Sequence, residues 1–227
     1  NNFIMSTPKD FTIGFKENYY FSHMLNCIYD CKYCFLQGMF NSANFVIFTN
    51  FNDFINEIIK KSSNKNQKLC FFSGYDCDSL ALEKITNFLK VFLKSFEKIN
   101  NAYLEVRTKS TNIGVFKSIK PVKNVIIAYS LNPEIIVKEF EQKTPTLKKR
   151  IDSINSLQKL GWQVGLRFDP LINYSKNKLI YKKFFHFIFN KIQVEKIHSV
   201  TIGRFRMPNS FFNKLVNIRP EDSLIFN

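Results

Sequence analysis

Cys27, Cys31 and Cys34 fall within eight residues near the start of the chain, in the pattern C-x3-C-x2-C. Thiols this close together along a chain do not pack as an ordinary apolar trio, so the fold must present them on one loop. Typical zinc sites use a C-x2-C pair with a second pair further on, and they close with a fourth protein ligand. A [4Fe–4S] cluster is normally held by four thiolates, so three on one loop leave one iron free to bind something else. Two other readings of the same residues stand beside the cluster: reduced thiols that only pack, and a zinc site completed by His23.

The rest of the composition sets bounds. A chain of 227 residues with 45% hydrophobic content can bury a sizeable core, which argues against wholesale disorder. Lys and Arg number 33 against 18 Asp and Glu, for a net charge of +15. Such an excess suits a polyanionic partner, because neutralising phosphates gives affinity independent of sequence. A bias toward Lys, Asn, Ile and Phe also arises in AT-rich genes, whatever the product binds. Five cysteines, three of them clustered, argue against a secreted disulfide framework and for a reducing, cytoplasmic setting. No run of 18 apolar residues and no apolar leader in Asn1 to Asp10 are present, so no membrane association is expected. The first residue is not Met, which suggests a trimmed N-terminus or a fragment. The chain is expected to be one domain over 1–227, monomeric, with 1–17 as an N-terminal extension.

Read in order, Phe15 to Leu25 is an aromatic strand delivering the cysteine loop, and Phe45 to Thr49 is a short second strand. Asn52 to Lys61 has helical spacing, with Asn52 or Asp53 able to cap it, and Ser62 to Gln67 is a surface loop. A strand–helix alternation follows. Leu69 to Ser73 is a continuous apolar strand, and after it Leu82, Ile85, Leu89, Phe92 and Phe96 mark one face of a long helix. Strands at Tyr103 to Val106, Val125 to Ala128, Gln163 to Phe168 and His198 to Ile202 alternate with helices over Asn112 to Ile119, up to Leu160, and over Lys182 to Ile192. Apolar strands alternating with helices predict an α/β fold with a parallel sheet covered on its outer face. There are too few units for eight, so a partial (βα)6 TIM-like barrel fits best.

In such barrels the reactive residues gather at the carboxyl edge of the strands. Here that edge holds the cysteine loop, Gly74 to Ser79, Arg107 to Ser110, Tyr129 to Asn132, Arg167 to Pro170 and Gly203 to Arg206. Each is polar directly after an apolar run. Asp78, Ser79, Asn132 and Asp169 are all good helix caps, but capping alone does not explain so many polar segments in register.

These blocks resemble one branch of the radical SAM enzymes, the spore photoproduct lyase family and its photolyase-like relatives. The matching pieces are Cys34-Phe35-Leu36-Gln37, Asp78 to Glu83, Glu105 to Ser110, Ser130 to Pro133, Gly165 to Pro170 and Gly203 to Arg206, in order along nearly the whole chain. The resemblance implies a radical SAM barrel in which Cys27, Cys31 and Cys34 hold a [4Fe–4S] cluster and S-adenosylmethionine (SAM) takes the fourth position. It implies cofactor contacts from Tyr33, Phe35, Gly74, Asp78, Lys109 and Ser130. A lysine serves as a point charge for the SAM carboxylate. Arg167, Asp169, Arg204, Phe205 and Arg206 would face the substrate, where arginines beside an aromatic suit phosphate contact and base stacking. The implied partners are nucleic acid, with DNA favoured, and a reducing protein such as flavodoxin or ferredoxin.

The sequence also departs from the family pattern. The lyase returns a hydrogen atom to the product from a cysteine after the second barrel strand. Aligned on Asp78-Ser79, that position holds Tyr75, and the nearest thiol is Cys77. Either X–H bond can quench a carbon radical, so both are candidate catalytic residues. The tyrosine that the lyase carries after its third cluster cysteine is Phe35 here, which has no O–H. No Gly-Gly-Glu is present to hold the SAM amino group, which leaves Asp76 or Asp78. The expected function is therefore lesion repair on DNA by a radical SAM lyase. The alternatives are the same chemistry on RNA or another substrate, or a non-catalytic metal-stapled nucleic-acid-binding domain.

Overall fold

The computed structural model describes residues 3–9, 11–63, 67–173 and 177–220. Strand β1 (Met5–Ser6) runs antiparallel to β2 (Glu17–Phe21). The chain then makes three two-residue strands, β3 (Met24–Leu25), β4 (Asp30–Cys31) and β5 (Val46–Ile47), with helix α1 (Leu36–Met39) before the last. Helix α2 (Phe51–Ser63) leads into β6 (Leu69–Ser73), and helices α3 (Glu83–Thr86) and α4 (Phe88–Phe96) lead into β7 (Ala102–Thr108). Helix α5 (Gly114–Ser118) precedes β8 (Val125–Ser130), followed by α6 (Glu134–Phe140), β9 (Glu141–Gln142) and α7 (Leu147–Lys159). Strand β10 (Gln163–Leu171), helix α8 (Asn177–Lys191), strand β11 (Ile197–Arg204) and helix α9 (Asn209–Ile218) complete it.

The main sheet has the order β1-β2-β6-β7-β8-β10-β11. Every pairing from β2 to β11 is parallel, so six parallel strands follow one another in chain order with helices in the crossovers. This is the expected partial (βα)6 barrel, with β1 added to one edge. The reason lies in the strands themselves. Every residue of β6 and of β8 is buried, as parallel strands covered on both faces require. The core between sheet and helices is aromatic, with Phe21, Phe71, Phe88, Phe92, Phe116 and Trp162 all buried. No helix among the described residues is long and apolar enough to cross a membrane.

Several boundaries differ from the sequence reading. The long helix after β6 is two helices, broken at Asn87, whose φ of 50° is left-handed. The Glu83 carboxylate causes the break by accepting the backbone N–H groups of Leu89 and Lys90, which starts α4 afresh. Ile85, expected on the buried face, is consequently 69% exposed. The expected strand over Phe45 to Thr49 shrinks to β5, which pairs with β3 outside the main sheet. Helix α2 starts at Phe51, ahead of both proposed caps, and Asn50 donates to Asp53 in its first turn. Part of the polar stretch Ser62 to Gln67, 64–66, lies outside the described residues. Strand β11 alternates half-buried and exposed instead of being covered, because it forms the open edge of the sheet.

A small second core surrounds the cysteine loop: Cys31, Tyr33, Ile136, Phe140 and Ile172. Helix α9 closes over α1 so tightly that a Cβ on Gly38 would run into the backbone carbonyl of Phe211. Backbone against backbone has nothing flexible to yield. Gly38→Val is therefore expected to cost about 1–3 kcal/mol and to part α9 from the loop. Thermal unfolding and limited proteolysis after residue 208 check this.

Candidate active site

The carboxyl edge of the sheet surrounds a cavity of about 680 Å³. Its construction starts at Gly74, directly after β6, where φ is +74° and a Cβ would collide with the Ser79 hydroxyl. Only glycine fits both demands. The turn is held by Asp78. Its Oδ1 accepts from Leu80 N and Ala81 N at 2.9 Å and from Thr108 Oγ1 at 2.7 Å, while Oδ2 accepts from Lys109 N at 2.7 Å. One carboxylate thus ties the β6 turn to the end of β7. Asp76 stands outside the cavity wall, its Oδ2 accepting from Ser22 at 2.6 Å.

Cys27, Cys31 and Cys34 are free thiols, and all three line this cavity. Burial first, then the nearby Asp78 carboxylate, pushes the Cys27 thiol up to about 12. Burial also raises Cys31 and Cys34. The bare loop therefore carries protonated thiols, whose protons any metal must displace on binding.

The loop is anchored from behind. Strand β4 pairs antiparallel with β9, and Lys32 N donates to Phe140 O at 2.8 Å. Tyr33, between the second and third cysteines, donates its buried hydroxyl to the Glu141 carboxylate. Asn132 Nδ2 donates to the same oxygen at 3.0 Å, and Arg150 NH2 reaches the other at 2.5 Å. Arg150 is wholly buried, with its other donors on the carbonyls of Pro145 and Ser130 and on Thr144 Oγ1. Burial opposes ionisation of Glu141, but Lys109 and Arg150 outweigh it and hold the carboxyl below its ordinary range. Lys109 stands over the Tyr33 ring, Nζ 5.7 Å from its centroid. Burial opposes its charge too, yet the Cys31 sulfur in its thiolate form and the Glu141 carboxylate hold it above the ordinary lysine value.

His23 does not complete a zinc site with the loop. Its ring stacks flat on Phe88, centroids 3.8 Å apart, and Nδ1 lies 3.9 Å from Cys77 Sγ. Burial drops it to about 3, so it is a neutral imidazole in the core. Among the described residues no three of His, Cys, Asp or Glu converge tightly enough to hold a single metal ion. A cubane spreads its thiolates over separate corners and needs no such convergence. Three cysteines without a fourth protein ligand, opening onto a cavity beside a lysine, fit a [4Fe–4S] cluster with one open iron.

Of the residues nominated from sequence, Tyr33, Phe35, Gly74, Tyr75, Cys77, Asp78, Lys109, Ser130, Asp169, Phe205 and Arg206 join the three cysteines at the cavity, whereas His23, Asp76, Arg167 and Arg204 do not line it. Arg167, expected at the substrate, lies inside the barrel and is fully buried. It pairs with Glu105, Nε to Oε1 at 3.1 Å and NH2 to Oε2 at 2.7 Å, and also reaches Ser199. Arg204, at the end of the open-edge strand, is exposed and outside the cavity wall. Arg206 is exposed at the mouth, 3.6 Å from the Asp169 carboxylate. The sequence reading did not find Glu141, Arg150 or the aromatic and proline rim of Pro8, Phe11, Pro208 and Phe211.

A family model for spore photoproduct lyase matches residues 16–214. The spore photoproduct lyase of Clostridium acetobutylicum is 22% identical over 209 residues, covering 91% of this chain and 62% of that protein. The Bacillus subtilis enzyme of the same name is 22% identical over 147 residues, covering 64% of this chain and 43% of that protein. A solved spore photoproduct lyase variant with bound AdoMet and a dinucleoside spore photoproduct superposes with a TM-score of 0.79 at 15% identity, over 90% of this chain and 62% of that one. The chain thus spans under two thirds of the length of each of these relatives.

Proposed function

The chain belongs to the spore photoproduct lyase family, and on that premise we propose that it is a radical SAM lyase that repairs a thymine lesion in DNA. The observation that carries this is the meeting of Cys27, Cys31 and Cys34 with Lys109, Asp78 and Ser130 around one cavity. A cluster and SAM held there would supply radical hydrogen-abstraction chemistry, and the protein would supply position, charge and shelter.

The three thiolates would hold the cluster, and the Lys109 ammonium would take the SAM carboxylate beside the Ser130 hydroxyl. Asp78 Oδ2 accepts a single N–H and keeps lone-pair capacity for the SAM ammonium. Phe35 and Gly74 would wall the cofactor. Phe205 and Arg206 stand at the mouth for base stacking and phosphate contact, and Asp169 orients Arg206. Gly203 permits that pairing, since a Cβ there would come within 2.7 Å of the Asp169 carboxylate. Tyr75 lines the cavity and would return hydrogen to the product radical. Cys77 is the second candidate donor, but its thiol is turned to His23. A flavodoxin or ferredoxin in the cytoplasm would supply the electron, and the net charge of +15 supports a nucleic-acid partner.

Anaerobic reconstitution with iron and sulfide, followed by SAM and dithionite, tests the reading. Release of 5′-deoxyadenosine and restoration of thymines in dimer-containing DNA are expected. A fully loaded cluster that releases none ends the radical SAM reading, and cleavage uncoupled from repair moves the chemistry to another substrate. Lys109→Met removes one charge-assisted contact, worth about 1.5–3 kcal/mol. SAM affinity measured by calorimetry is therefore expected to weaken by about ten- to a hundredfold.

A further inference from the structure

Tyr75 lies against three aromatic rings, of Phe11, Phe35 and Tyr20. Phe35, at 5.7 Å, has no O–H and cannot hand over a hydrogen atom. Tyr20 can. Its ring stacks on Tyr75 with centroids 4.1 Å apart and planes 28° from parallel. It stands on β2, the strand neighbouring β6, and faces Met5 across the edge pairing of β1 with β2. There the Tyr20 hydroxyl lies 3.5 Å from Met5 Sδ, and Met5 is 43% exposed. A line of oxidisable groups thus runs from the cavity to the β1 edge of the sheet.

We propose that Tyr20 is a relay residue that reduces Tyr75 after each turnover, carrying the radical from the cavity to the surface beside Met5. This rests on the reading above that Tyr75 is the hydrogen donor. The steps balance. The product carbon radical takes a hydrogen atom from the Tyr75 O–H, leaving a Tyr75 phenoxyl. Tyr20 gives up an electron and its phenolic proton, which restores Tyr75 and leaves a Tyr20 phenoxyl. At the surface a small thiol gives one hydrogen atom to Tyr20 and becomes a thiyl radical. Two thiyls from two turnovers pair as a disulfide. The hydrogen returned to the product comes from an exchangeable O–H, and the hydrogen taken by the deoxyadenosyl radical stays with it. One SAM is therefore consumed per lesion.

The test uses the reconstituted full chain with dimer-containing DNA, SAM, limiting dithionite and excess dithiothreitol in D2O. The wild type is expected to give one 5′-deoxyadenosine and one product deuterium per repaired lesion. Tyr20→Phe keeps the stack and is expected to complete its first turnover, then slow about tenfold or more. A tyrosyl radical signal then builds up at Tyr75, identified by its loss in the Tyr20→Phe/Tyr75→Phe double variant. A second readout needs no cofactor: in the bare protein, photochemical one-electron oxidation should leave a longer-lived tyrosyl signal in Tyr20→Phe than in the wild type. Wild-type turnover and radical lifetime in Tyr20→Phe overturn the relay. If the wild type releases no 5′-deoxyadenosine, the radical SAM reading fails, while the photo-oxidation experiment still decides whether Tyr20 reduces Tyr75.

Discussion

Cys31→Ala is expected to abolish the brown chromophore of the reconstituted protein. Iron and sulfide should fall from about four of each per chain to trace amounts, and 5′-deoxyadenosine release to background. The reasoning is one of ligand count. The loop offers three thiols, and a further thiol and a carboxylate of the cavity wall, Cys77 and Asp78, are turned to His23 and to the β6 turn, so removing one loop thiol leaves two corners of a cubane without protein. Two controls make the result specific. Cys70 is buried in β6 away from the cavity, and Cys77 lines it but faces His23. Cys70→Ala and Cys77→Ala should both keep the chromophore. A Cys31→Ala protein that stays brown with full iron would mean that the cluster sits elsewhere. Unfolding cannot mimic the effect unnoticed, since trimming one small side chain leaves the Phe-rich core intact and circular dichroism would show its loss.

Much of this architecture was legible because burial writes itself plainly into parallel strands. Strands β6 and β8 are covered on both faces, and Leu69 to Ser73 and Val125 to Ala128 within them read as apolar runs. The rim was legible for the converse reason: Gly74 and Lys109 follow directly on β6 and β7 with residues that break the apolar run. Arg167 misled because β10 continues to Leu171, three residues past the expected end at Phe168. An arginine taken for the rim is thus mid-strand, where Glu105 from β7 neutralises it. That pairing crosses 62 residues and leaves no local trace. The break at Asn87 was hidden because Leu89, Phe92 and Phe96 continue the helical spacing as if nothing intervened. Glu141 was hidden in another way. It lies just past α6, and its bond to Tyr33 spans 108 residues, so no spacing rule connects them.

That hidden carboxylate sets the second large effect. Glu141→Leu is expected to destabilise the fold by about 3–5 kcal/mol, the usual result of stripping a buried ion of its partner. Arg150 would keep its bonds to Pro145, Ser130 and Thr144 but lose its counter-charge in a site without water-exposed surface. Tyr33 would lose the acceptor of its buried hydroxyl at the same time. Replacing both charges, Glu141→Leu with Arg150→Met, should recover part of the stability, because no lone ion remains. The loop should stay looser in both proteins, since the Tyr33 hydroxyl keeps only its bond from Asn132 in each; slower iron uptake in the folded double variant would report that. The pH dependence follows from the sign of the shift. Glu141 is held below its unfolded value, so its contribution is present above the ordinary carboxylate range and lost as pH falls through the folded value. Denaturant titrations should therefore show wild type and double variant converging toward acid pH. Wild-type midpoints in Glu141→Leu at neutral pH would show that the buried pair contributes nothing to holding the cysteine loop against the barrel.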